Sequence, residues 1–490
     1  LVFFGITGKK SGISQQSGFD DCIRIAQVAM LYQVSLRKFP KFGSVRFLSL
    51  FACTALLVAG QTSTPLAASP VQADKSAREY QMQVEYAGNV TSLASPEVEQ
   101  PETLPLKVQG QFAFSQERLD NRSALRNYRR AAAEITLGPS TSTNELSEGN
   151  RQLKARLANS QLTRPIQYLS AGGLLKQSEL DLLTLPADPL SFPLLFADRK
   201  TETGAEWRPS DYAVQTFLAA ENLIENDVKI TVKEATGTSI KLYLTGDAKA
   251  EIEGATARFQ IVGLALLDAQ SGEVRGLRLT LDEKRTASQL APAFEGQVKV
   301  DVRIVTAEEA RRIDAAAAAA ARKDANTPVR LLWSTDSEFE LVYDPRWKII
   351  LSEPETVIMR YADQGNLLAQ CSILQLPRRP ADRPLSLEDF RAEVQKLLAE
   401  APGAMVSAGS LSTRNGLSVH KVVVTGKQDD VQIDWLYYHA AHPDGRRVAL
   451  IFTLEHEVAL TFQGADERLL EAIRFATPKT AQAESGEEIK

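Results

Sequence analysis

What this chain lacks narrows its chemistry. Only three cysteines occur in 490 residues, Cys22, Cys53 and Cys371. The first two fall in a leader described below, which leaves Cys371 alone after processing. An internal disulfide then cannot form, and a cysteine-built metal site is excluded, so stability has to come from the core. There is no Gly-x-Ser-x-Gly elbow for a nucleophilic serine, and no Gly-rich phosphate loop of the Gly-x-x-x-x-Gly-Lys-Ser/Thr kind. No long apolar run follows residue 73, so the mature part is expected to be soluble. Charge of one sign is scarce too. The 61 acidic and 56 basic residues give a net charge of -5 with no basic stripe, which disfavours a nucleic-acid partner. What remains, 44% apolar and 24% charged, is the balance of a globular protein long enough for two or more domains.

A secretory signal is the clearest feature present. Arg37, Lys38, Lys41 and Arg46 lead into a 14-residue apolar core, Phe47–Gly60, and a polar stretch ends in Val71-Gln72-Ala73. Basic, apolar, then small-x-Ala is the pattern a signal peptidase reads. Residues 36–73 are expected to be the signal and Asp74 the first mature residue, which places the protein in the periplasm or outside the cell. The apolar core is short of the roughly 20 residues that span a bilayer. Membrane contact is therefore expected only if the signal is kept uncleaved. Phe51 and the apolar residues beyond Cys53 argue against lipid attachment there. The first methionine is Met30, and residues 1–35 read as an upstream extension.

Residues 74–305 read as antiparallel strand. Gln297–Ile304 alternates strictly, and Val228–Lys233, Ser239–Thr245, Arg258–Gly263 and Val274–Leu281 follow the same period. Glycines 237, 246, 254 and 272 are read as the turns between such runs. Connections that short cannot make parallel crossovers, so a meander is predicted. Tyr80–Val90 and Leu106–Phe114 also alternate. Short helices are predicted at Ser178–Leu185 and at Ser210–Leu218, the latter capped by Ser210. The segment Pro193–Trp207, proline-rich and apolar before its Gly and Trp, precedes the meander. In that order, residues 190–305 resemble exported bacterial families with the curved half-barrel of lipoprotein carriers. Trp207 is accordingly the candidate ligand-binding residue, against the alternative of a core tryptophan plugging one mouth of the sheet.

Thr306–Asp314, a run of alanines at 315–321 and Pro328 predict a solvated helical linker over 306–328. Residues 329–476 then read as strand, Asp344-Pro-Arg-Trp347, two strands, a helix capped by Ser386 with Asp389, three strands, and a closing helix over Ala465–Arg474. That order resembles the PsbP-like alpha/beta/alpha sandwich. The resemblance implies a small accessory or binding module, often exported and rarely an enzyme, and it carries over no functional residue. The tail 477–490 is small, polar and acidic, and is expected to be disordered. The fold class expected is α+β, an antiparallel curved-sheet domain followed by the sandwich.

All four histidines, His420, His439, His442 and His456, lie in the second domain. Zinc accepts imidazole and carboxylate ligands, so His439, His442 and His456 are the candidate metal set. Positions three apart on a strand face opposite sides, so convergence would need a bent hairpin. The plainer reading is histidines at the edge of a surface hairpin. Leu376–Leu385, rich in Arg and Pro, is a stiff basic loop that suits either a connector or a dock for an acidic partner. No cofactor is implied. The expected function is non-catalytic binding in the cell envelope, with a protein or an apolar ligand as partner. The alternatives are a carrier of an apolar ligand or lipid, and a metal-assisted hydrolase.

Overall fold

The computed structural model describes residues 77–475 except 93–100, 148–151, 159–164, 171–173, 199, 306–327, 335–337, 354, 364, 399–402, 429 and 463. The predicted extension, signal, alanine-rich linker and tail lie outside the described residues, Pro328 apart.

Period-two alternation builds the first sheet. Its strands are β1 (Arg78–Thr91), β2 (Thr103–Asp120), β3 (Ser123–Leu137), β4 (Ser140–Glu145), β5 (Gln152–Leu157) and β6 (Ile166–Ser170). After a helical stretch come β7 (Glu206–Trp207), β8 (Asn222–Asn226), β9 (Lys229–Ala235), β10 (Ser239–Ile252), β11 (Ala255–Asp268), β12 (Val274–Arg285) and β13 (Ala293–Val305). On β13, Val298, Val300 and Val302 are buried while Lys299 and Arg303 are exposed. The sheet order is β6-β5-β3-β2-β1-β13-β12-β11-β10-β9-β7, with β4 added to β3 and β8 to β10. Every pair is antiparallel, as the short connections require. The long-range join is β1 with β13, in register from Glu79 opposite Val305 to Thr91 opposite Ala293.

The sheet is strongly curved. Leu106 and Val108 of β2 line one cavity together with Ile252 of β10, five strand steps away. A flat sheet would hold those strands about 24 Å apart. Gly88 and Gly296 face each other on β1 and β13. A Cβ on either would enter the other strand's backbone, so this close approach needs glycine at both positions. Three short helices, α1 (Gln177–Leu183), α2 (Phe192–Leu195) and α3 (Asp211–Phe217), fill the concave face with Leu180, Leu182, Phe192, Val214 and Phe217. Ser210 Oγ accepts from Ala213 N at 3.3 Å, the cap read from the sequence. Gly246 is not a turn. It lies inside β10 at φ +140°, where its Cα passes against the Asp227 carbonyl.

A buried ion pair locks the helical layer to the sheet. Arg126 of β3 is 1% exposed, and its two terminal nitrogens reach the Asp188 carboxylate at 2.8 and 2.5 Å. Gln116 Oε1 accepts from its Nε at 2.8 Å, and the Tyr168 hydroxyl accepts from Nη1 at 3.3 Å. Burial alone would lower the Arg126 pKa. The Asp188 charge outweighs it and holds the guanidinium well above its ordinary value.

The second unit contains β14 (Leu331–Ser334), β15 (Phe339–Tyr343), β16 (Trp347–Ser352), β17 (Thr356–Asp363), β18 (Asn366–Leu376), α4 (Leu387–Leu398), β19 (Ala404–Ser412), β20 (Ser418–Gln428), β21 (Val431–Ala441), β22 (Arg447–Glu455), α5 (Ala459–Phe462), α6 (Ala465–Leu470) and β23 (Ile473–Phe475). A seven-stranded sheet runs β16-β17-β18-β22-β21-β20-β19, and a three-stranded one runs β14-β15-β23. Phe390 and Val394 of α4 pack on Val422, Val424 and Trp435. On the other face, Phe462 of α5 meets Trp347 and Phe452 edge-on or tilted. The predicted last helix is shorter than expected. It ends at Leu470, and Ile473–Phe475 instead pair with β15, because Phe339 and Leu341 offer an apolar edge.

The two units share one hydrophobic cluster. Leu175 bridges to Leu331 in parallel, and Gln177 Oε1 accepts from Ile349 N at 2.9 Å. Glu253 pairs with Lys348, and Gly254 packs on the Gly365 carbonyl. The architecture is mostly antiparallel β with few, short helices, so the α+β class expected from sequence overstates the helix.

Candidate functional site

Three spaces qualify by shape and chemistry. The first is an open groove of about 920 Å³ across the exposed face of β1, β13, β12, β11 and β10. Strand register sets two rows of side chains in it. One row reads Glu295, Lys284, Arg258, Lys249, Glu225. The next reads Ala87, Gln297, Asp282, Gln260, Asp247. Lys284 pairs with Glu295 and Lys249 with Glu225, each at 3.2 Å. Gln297 Nε2 donates to Asp282 Oδ1 at 2.8 Å. Arg258 stands between two lysines with no ion pair among the described residues. Like charges directly opposite on neighbouring strands are destabilising. The groove therefore carries one cation outside an ion pair, Arg258, in a lining that also holds two paired lysines and six carboxylates.

The second space lies inside the curved sheet. It holds about 110 Å³ among Leu106, Leu218, Phe259, Leu281 and Phe294, with Glu283 and Arg285 at its wall. Glu283 is 7% exposed and its Oε1 accepts no hydrogen bond. The nearest cation is Arg285 Nε at 3.6 Å. Burial raises the Glu283 carboxyl pKa, with Arg285 opposing. The volume is well below the roughly 300–1,000 Å³ of small-molecule pockets.

The third space, about 130 Å³, opens where the Leu376–Leu385 loop meets the hairpin between β21 and β22. His439 and Arg447 line it from the sheet and Arg379 from the loop. His439 is 4% exposed, and neither ring nitrogen has a hydrogen-bond partner. Its ring stacks on that of His420 directly across the ladder at 6.1 Å. Burial, then Arg447, His420 and Arg379, push its pKa down to about 3, so the ring is neutral at physiological pH. A buried neutral group left unpaired costs about 1–3 kcal/mol.

The other sequence-predicted residues are placed differently. Trp207 is packed in the core beside Ile230, and none of these three spaces is lined by it. His442 Nδ1 lies 2.8 Å from Asp444 Oδ1 in the hairpin turn. His456 Nδ1 lies 2.9 Å from Asp434 Oδ2. Asp434 and His439 are on one strand, about 17 Å apart at its ordinary rise. His439, His442 and His456 therefore do not converge, and no cluster of three metal-binding side chains occurs among the described residues. His442 lies past the strand end, where it lines the third space together with His439, and it is His456 that lies apart, at the far end of β21 beside Asp434. Cys371 is fully buried in β18, and burial holds its thiol well above its ordinary pKa. Among the described residues no helix is long and apolar enough to cross a membrane.

The sequence reading missed the Lys249–Arg258–Lys284 row. Each residue sits on a different strand, and only the ladder register brings them together. It also missed that Arg379 and His439 share a pocket.

No family model and no curated protein matches this chain. Among solved structures, the cyanobacterial PsbP of Synechocystis sp. PCC 6803 matches at 12% identity over 30% of this chain and 92% of that one, with a TM-score of 0.25. Lipovitellin matches at 9% identity over 49% of this chain and 26% of its own, with a TM-score of 0.29. A T6SS immunity protein of Pseudomonas aeruginosa matches at 10% identity over 47% of this chain and 95% of that one, with a TM-score of 0.19. These are weak likenesses of fold, and no activity follows from them.

Proposed function

We propose that this is an exported, non-catalytic binding protein of the bacterial cell envelope, and that it holds a polar partner in the groove across β1, β13, β12, β11 and β10. The observation that carries the reading is Arg258, a cation between two lysines in a space of about 920 Å³. A carboxylate or other anionic group on the partner would relieve that repulsion and pair with the guanidinium fork. The partner is expected to be a protein segment presenting such a group. The carrier alternative draws little support from an interior cavity of about 110 Å³. The hydrolase alternative draws little from histidines split between the two ends of β21, His439 and His442 at one and His456 at the other.

The test is capture from an envelope extract with the mature chain as bait, with bound proteins and bound lipids both identified. Arg258→Glu serves as the paired bait. Exposed on one strand, it leaves the fold intact. The reading expects a protein retained by the wild type and lost with Arg258→Glu. Lipid in place of protein, or identical capture by both baits, would overturn it.

A further inference from the structure

We propose that the pocket between Arg379, His439 and Arg447 is a binding site for a small organic monocarboxylate. This does not depend on the groove reading, which concerns another face of the molecule. The argument begins with His439. One of its ring nitrogens must carry a hydrogen when the ring is neutral, and neither nitrogen has a partner among the described residues. Its neighbour His420 shows the contrast, since Ser410 Oγ lies 2.7 Å from Nδ1 and the Leu385 carbonyl 2.8 Å from Nε2. The ladder thus satisfies one imidazole fully and leaves the other, which lines the pocket, with two buried and unpaired nitrogens.

The chemistry of the walls selects the ligand. Arg379 reaches the pocket from the loop with no ion pair among the described residues. Its planar fork fits a carboxylate. Arg447 already donates from Nε to the Pro377 carbonyl at 2.6 Å, which leaves it a supporting charge. Two guanidinium groups repel a metal cation, which is why an unpartnered histidine here is not read as a metal ligand. Pro380, Pro384, Leu385 and Ala441 form the remaining wall and suit an apolar body. The volume of about 130 Å³ limits that body to a short chain or a single ring.

The pocket is also held in shape. Arg379 N donates to the Gly445 carbonyl at 3.0 Å. Gly445 adopts φ +88° and lies so close to the Arg379 carbonyl that no side chain fits there. The loop is therefore fastened to the hairpin before a ligand arrives, which lowers the cost of ordering on binding.

The experiment uses the full chain with butyrate and benzoate as probes and butyramide and benzamide as neutral isosteres. Calorimetry reads affinity, and the imidazole signals of labelled His439 report the site. Both acids should bind saturably and move the His439 signals, and the amides should bind at least about tenfold more weakly. Arg379→Gln, on a half-buried loop, should weaken the acids about tenfold while leaving the melting temperature without probe unchanged. Unmoved His439 signals, amides equal to acids, or an Arg379→Gln variant that binds like the wild type would each overturn the proposal. Equal competition by inorganic phosphate would also overturn it, by making the site one for inorganic anions.

Discussion

Replacing Asp188 by alanine should be among the most damaging single changes in the first unit. The carboxylate does two things. It forms a two-point contact with Arg126 at 2.8 and 2.5 Å, and its Oδ1 accepts from Leu190 N at 2.8 Å, capping the short turn before α2. Removing one member of a buried pair costs about 3–5 kcal/mol, because the other charge stays behind. Arg126 would keep Gln116 and the Tyr168 hydroxyl as neutral acceptors, which argues for the low end. Losing the cap adds about 1 kcal/mol. Asp188→Ala should therefore cost about 4 kcal/mol, and Asp188→Asn about 1 kcal/mol less because it keeps a cap acceptor. The measurement is the urea midpoint, with an unchanged slope showing that the same surface unfolds. Arg126→Met with Asp188→Leu should recover most of the loss, since an apolar replacement leaves no orphaned charge. If the double variant is as unstable as Asp188→Ala, the orphaned charge is not the cause and the reasoning fails.

Other outcomes follow from the same geometry. His439 is held at about 3 against 6.5 when unfolded, so the unfolded chain binds the extra proton as pH falls. Stability is then whole above pH 6.5 and drops towards 3, by about 3 kcal/mol near pH 4; His439→Leu should flatten that slope in denaturation curves taken across the range. Gly296→Ala should lower the melting temperature, at a cost of about 1–3 kcal/mol, because its Cβ would strike the Ala87 carbonyl. Gly409→Ala, with open space around its Cβ, should be neutral or slightly stabilising, and equal effects at the two sites would refute the steric account. Cys371 should resist thiol reagents in the native protein and react fully in urea; fast native labelling would contradict its burial.

The legible parts of this fold are those written in one strand at a time. Alternation located β9 to β13, though it stopped β10 seven residues short at Thr245, and Ser210 and Ser386 marked two helix starts, the second confirmed by Asp389 N donating to Ser386 Oγ at 3.1 Å. Where alternation weakened, between about 140 and 200, strands β4, β5 and β6 went unread, because their short segments gain stability from pairing and not from pattern. Gly246 misled for a related reason. A glycine between two apolar runs signals a turn locally, but here it serves a backbone crowded by Asp227. Nor did composition disclose that both units share a core, since Leu175 and Leu331 are ordinary leucines until the chain brings them together.

The sites lie where local rules are broken. Sheets favour opposite charges across a ladder, yet Lys249, Arg258 and Lys284 stand side by side. Buried polar groups are nearly always satisfied, yet His439 is not, one position across from a histidine that is. Each departure costs stability, and in the row only the two outer lysines are relieved, by Glu225 and Glu295. Elsewhere the core follows the rules in the alternating valines of β13 and the paired Arg126 and Asp188, while Glu283 and Trp207 also carry buried polar atoms without a hydrogen bond among the described residues. A sequence under ordinary folding pressure would replace Arg258 by glutamate and His439 by leucine at little risk to either sheet. Arg258 lies on an exposed sheet face and His439 is buried at the wall of a small pocket, so both departures fall where a space adjoins a sheet.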